Sequence, residues 1–167
     1  MKRLFNMCTI AALQIALLLL AGCNKNNTDP YGLNNTMWWP TYAEGSAVQN
    51  GHTLTWNGPV DESGSIIATY EEGGETFEYP ITVKGIHFYQ EGKENLYVLF
   101  VPGMPSKSKP MGYYIDDGKI YLEEKEYVSE DPTSSQVQIV RSGKYNSYVL
   151  EVFSTDALKF DGVTYKK

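Results

Sequence analysis

The chain has little of what most reactive sites are built from. In 167 residues there are two cysteines and two histidines. Both cysteines, Cys8 and Cys23, fall near the N-terminus, so no disulfide framework braces the rest of the chain. No His-x-x-x-His or paired-cysteine spacing suggests zinc. No Gly-x-Ser-x-Gly elbow points to a serine hydrolase. Asp116-Asp117-Gly118 opens like a calcium loop, but Lys119-Ile120-Tyr121-Leu122 offers no further oxygen ligands, so it reads as a hairpin turn. Enzyme is therefore the least expected class, and neither a metal nor a cofactor is expected. Basic charge is scarce too. The net charge is −6, and Arg141 is the only arginine after Arg3. Nucleic acid, which needs a basic footprint, is not an expected partner. Helix-period stretches are absent after the first two dozen residues.

One apolar run exists. Lys2 and Arg3 precede Ile10 to Leu20, which only Gln14 interrupts, and small residues lead to Cys23. A membrane-spanning helix needs roughly 20 apolar residues. This shorter run, ended by Asn24-Lys25-Asn26-Asn27, has the layout of a secretory signal. Leu20-Ala21-Gly22-Cys23 resembles the lipobox of bacterial lipoproteins at all four positions. The resemblance implies cleavage before Cys23 and a diacylglycerol on its thiol, so that the lipid makes the membrane contact; dual acylation gives stable anchoring where one chain binds only marginally. Loss of Lys2 and Arg3 takes the net charge from −6 to −8. In such lipoproteins aspartate after the cysteine often retains the protein at the inner membrane. Asn24 stands there instead, which implies the outer membrane of a Gram-negative cell envelope. Lys25 resembles part of a surface-export signal but lacks the acidic residues that belong after it, so the leaflet is left open. The expected division is a signal peptide over 1–22, a polar tether over 23–35 and an all-β domain over 36–167.

From Met37 on, apolar and polar residues alternate with period two. Leu54 and Trp56 alternate with threonines; Phe77, Tyr79, Ile81 and Val83 alternate with Thr76, Glu78, Pro80 and Thr82. Further strands are expected at 66–70, 86–89, 96–101, 120–122, 137–140, 148–153 and 158–160. Leu96 to Val101 is apolar on both faces and should be covered on both. Glu72-Gly73-Gly74-Glu75, Glu91-Gly92-Lys93, Asp116-Asp117-Gly118-Lys119 and Ser142-Gly143-Lys144 read as hairpin turns. Pro102 to Met111 reads as a solvent loop at a rim, and Glu123-Glu124-Lys125-Glu126 as a solvated edge. Short turns between successive strands give an antiparallel meander of about eight to ten strands, which edges and twist drive to closure or into two layers.

A signal-anchored β meander of this length resembles the lipocalin-like barrels of small Gram-negative lipoproteins. Trp38 stands near the start of the first strand, where that family carries a tryptophan at the closed end, although Thr36 replaces its glycine. The resemblance implies that a late-strand arginine, here Arg141, packs on that indole as a structural cation–π pair; solvent exposure is the alternative. It also implies a closed barrel, with a β-sandwich as the alternative.

Three tryptophans and thirteen tyrosines offer apolar bodies with polar tips. They suit a ligand pocket, and equally they are good strand formers. Trp38, Trp56, Tyr70, Tyr79, Phe88 and Phe100 are the candidates to line it. His87, between Ile86 and Phe88, either faces a cavity or is an ordinary surface or hydrogen-bonded core residue. The expected function is a lipid-anchored protein binding an apolar or amphipathic small molecule. The alternative is a protein-interaction module, an accessory subunit or inhibitor in an envelope complex.

Overall fold

The computed structural model describes residues 29–104, 108–128 and 137–167. Cys23 and the segment expected as a signal peptide, 1–22, lie outside them. Among the described residues there are twelve antiparallel strands and no helix. They are β1 (Thr36–Gln49), β2 (His52–Pro59), β3 (Ser65–Glu72), β4 (Glu75–Thr82), β5 (Gly85–Glu91) and β6 (Glu94–Phe100). Then come β7 (Met111–Asp116), β8 (Lys119–Val128), β9 (Gln138–Val149), β10 (Glu151–Ser154), β11 (Ala157–Phe160) and β12 (Val163–Lys166).

Two-residue turns make the meander. Asp117-Gly118 and Gly73-Gly74 take positive φ at both positions, which suits the right-handed twist of the strands they join. Asn50-Gly51 and Asp161-Gly162 do the same for β1–β2 and β11–β12. The last of these creates a strand the alternation did not reveal, β12. Strand β7 is the other addition. Met111, expected at the end of a loop, is the first residue of β7 and is buried.

The main hydrogen-bonded path runs β10-β11-β12-β1-β5-β6-β7-β8-β9, and β2, β3 and β4 branch from β1. Pairing alone does not close it: the path ends at β10 on one side and β9 on the other. β1 serves both parts. Thr36–Trp38 pair with β5, Trp39–Ala43 with β12 and Tyr42–Gln49 with β2. A bulge between Pro40 and Tyr42 shifts the alternation by one residue, so the buried positions run Trp38, Pro40, Ala43.

The larger core gathers Leu33, Trp38, Ile86, Phe88, Met111, Ile120 and Leu158, with Tyr97, Tyr113, Phe160 and Tyr165 closing around them. Leu33 belongs to it although it precedes the first strand. The Asp29 carboxylate accepts from the Leu33 and Asn34 amides at 2.8 and 2.7 Å, so packed structure begins inside the segment expected as tether. A second, smaller core joins Ala43, Ile66 and Val83. β6 is covered on both faces, with no residue from Asn95 to Phe100 exposed.

Two sequence expectations are corrected around β8. Ser142-Gly143-Lys144 is not a hairpin turn but a bulge within β9, opposite the register shift between Glu123 and Lys125. β8 is not an edge, because β7 and β9 flank it, and Glu123 is 2% exposed. Its carboxylate accepts from the Gly112 amide (2.9 Å), Arg141 Nε (2.6 Å) and the bulged Gly143 amide (2.9 Å). Burial alone would raise this carboxyl; those donors outweigh it and hold it below the ordinary range. Gly112 is there because a Cβ would stand 2.5 Å from Arg141 Nη2 and 2.8 Å from Glu123 Oε2.

A groove beside the filled core as the candidate functional site

The core leaves Trp38 and Phe88, two of the six expected ligand-lining aromatics, 1% and 0% exposed. They are packing residues. Trp38 Nε1 donates to Thr36 Oγ1 at 2.6 Å, and Phe88 lies 4.8 Å from the Tyr113 ring. The cation over the Trp38 indole is Lys167, 5.3 Å from its centroid, and not Arg141. Arg141 is committed elsewhere, to Glu123 and, at 2.8 Å, to Glu94. Phe100 meets Trp39 edge-on at 5.7 Å. Tyr70 stacks on Phe77 at 5.2 Å and meets His52 at 4.6 Å, and Tyr79 stands exposed on β4. His87 is half-buried against Tyr89. The six aromatics therefore do not form one site.

Trp56 alone among them borders the principal opening, a groove of about 750 Å³. One wall comes from β1 and the β2–β4 arm: Ala43, Gly45, Trp56, Ile81 and Val83. The facing wall is Leu99 of β6, Leu122 of β8 and Tyr148 of β9. Phe160, Val163 and Tyr165 lie between. Sequence places Trp56 here for a local reason. It pairs across the ladder with Gly45, and a Cβ on Gly45 would stand 2.8 Å from the indole, so the missing side chain lets the ring lie across β1.

Several of the polar groups bordering the groove are engaged. Tyr97 donates its hydroxyl to the Glu123 carbonyl at 2.7 Å, and burial pushes it up to about 12. Burial likewise raises Tyr148 and Tyr165. These phenols stay protonated at neutral pH. Lys159 holds Glu44 at 2.5 Å, and Asn146 donates to Glu124 at 2.7 Å. Asp161, raised by burial, sits at the β11–β12 turn without a histidine among the groove residues. Among the described residues no group of three or more His, Cys, Asp or Glu side chains could hold a metal ion. What the groove offers chemically is contact area with a few fixed donors and charges.

No protein-family model, curated protein or solved structure matches the chain.

Of the groove residues that the sequence reading missed, Leu99, Leu122, Tyr148 and Phe160 lie on strands it anticipated, whereas Val163 and Tyr165 lie on β12, which it did not. Alternation tells which residues share a face. It does not tell which strand from elsewhere in the chain that face will meet.

Proposed function

We propose that the protein is a lipid-anchored cell-envelope protein that holds an apolar or amphipathic small molecule in this groove. The observation that carries the reading is the groove itself. About 750 Å³ is within the span of small-molecule sites, and the lining sets apolar and aromatic side chains, Trp56, Leu99, Leu122, Tyr148 and Phe160 among them, beside charged ones, Glu44, Lys84, Glu124, Lys125 and Asp161. Trp56 and Tyr148 offer ring faces to an apolar body and polar tips to its end. The ligand then sits beside the filled core rather than inside it.

The barrel reading has one support. The two ends of the hydrogen-bonded path, β9 and β10, are consecutive in the chain through Leu150, whose amide donates to Gly118 at 2.9 Å. The strand serves β8 before Leu150 and β11 after it, so covalent continuity stands where a ladder would close a small barrel. The anchor rests on the Leu20-Ala21-Gly22-Cys23 motif, with Asn24 favouring the outer membrane.

The protein-interaction module is the second reading. It is favoured by the β2–β4 arm, where Ile67, Phe77 and Tyr79 are exposed and β4 pairs on one side only.

The test is a thermal-shift screen with single-chain amphiphiles and polycyclic apolar compounds. A ligand at a hundredfold excess over its Kd should add about 2.7 kcal/mol of stability. Trp56→Ala should abolish the shift of any hit, whereas Tyr79→Ala should not. Hits insensitive to Trp56, or a panel without hits, would move the reading to the interaction module. Intact mass of the membrane-extracted protein tests the anchor: it should show a diacylglyceryl group on a chain starting at Cys23.

A further inference from the structure

We propose that the groove's occupant is acidic: a singly charged carboxylate on an apolar body, its head held between Lys84 and Lys125. This rests on the ligand reading above and specifies the ligand class. Lys84 lies in the link between β4 and β5, and Lys125 lies on β8, so the two come from separate parts of the sheet and both border the groove. Among the described residues the ion pairs engage Arg141 and Lys159, and neither Lys84 nor Lys125 takes part in one. In a protein of net charge −6, two lysines outside any ion pair at one groove are a departure, and their mutual repulsion costs stability. The Lys125 ammonium is depressed by burial and then by the charge of Lys84, which places the two within electrostatic reach of each other.

Two of the nearby carboxylates are taken by other cations. Glu44 is held by Lys159 and Glu123 by Arg141; Glu124 accepts from Asn146. Asp161 and Glu124 keep negative character at the groove and oppose a multiply charged head such as a phosphate, so one charge fits better than two. The remaining lining, from Trp56 through Leu99 and Leu122 to Phe160, takes the apolar body.

The experiment titrates the full chain by calorimetry with decanoate, decanol and decyltrimethylammonium, each below its micelle concentration. Decanoate should bind about tenfold more tightly than decanol, the worth of one charge-assisted contact. The Lys84→Gln/Lys125→Gln double variant should lose that preference while binding decanol unchanged, with an unaltered circular dichroism spectrum. Equal binding of decanoate and decanol, or tighter binding of the ammonium, would overturn the acidic head and leave the groove reading standing. Should no amphiphile bind, both readings fall. Decyl phosphate outcompeting decanoate would overturn the single charge.

Discussion

Phe88 on β5 and Phe77 on β4 sit in strands with the same apolar alternation, yet Phe88 is fully buried and Phe77 is 38% exposed. The difference lies in what crosses their faces. The face of β5 that carries Phe88 is met by Tyr113 of β7, Trp38 of β1 and Leu158 of β11, all in one cluster. Among the described residues β4 pairs with β3 alone, and every residue from Glu75 to Pro80 is exposed. Alternation is thus a statement about a face, and the stability it yields depends on a cover supplied by distant residues.

The largest effect that tests this contrast is on core truncation. Phe88→Ala should cost about 3–5 kcal/mol, with Phe77→Ala below about 1, measured by urea unfolding. Equal losses would mean the arm is covered in solution.

Next comes the buried carboxylate. Arg141→Ala removes one of the three donors to Glu123 and should cost about 2–3 kcal/mol, reduced from the value for a fully buried pair because the arginine is partly exposed. The pH dependence has a definite sign. Glu123 is held below the ordinary value in the fold, so its contribution is complete above about pH 5 and is lost as pH falls through the depressed folded value. Glu123→Gln should flatten that acid limb of the stability profile. An unchanged limb would show that other carboxylates set it.

Gly112→Ala should cost about 1–3 kcal/mol, since the new methyl meets Arg141, Glu123 and the Tyr145 hydroxyl at once. The smallest mutational effect belongs to the arm: Tyr79→Ser should stay within about 0.5 kcal/mol. Hydrogen exchange completes the series. Amides of β3 and β4 should exchange through local opening, those of β5 and β6 only near global unfolding. Uniform protection across both would erase the distinction between the two regions.

Much of the architecture was legible because period-two alternation and paired turn residues are local signals. Leu54-Trp56, Phe77-Ile81 and Leu96-Phe100 fall in strands, and Gly73-Gly74 and Asp117-Gly118 turn between them. β12 escapes that reading because Val163-Thr164-Tyr165 is too short to show an alternation, although Asp161-Gly162 turns it back onto β11. The charge-rich run at Glu123 misleads for a related reason. Its burial comes from a two-strand conjunction, Gly112 on one side and the Gly143 bulge on the other, which charge patterning alone does not contain. Of the site, Trp56 was legible from composition. Lys84 and Lys125 were not, since nothing in a linear sequence says that two lysines about forty positions apart border one groove.

The pairing of Ala43 with Val163 joins the first strand to the last. Folding therefore has a deadline set by synthesis. Leu158, Phe160 and Tyr165 belong to the larger core, so that core cannot be completed until Tyr165 has been made. A nascent chain is held open until then, and a closure spanning so many residues is slow. Loss of only the last strand would strip β1 of one partner and leave a chain that proteases treat as unfinished.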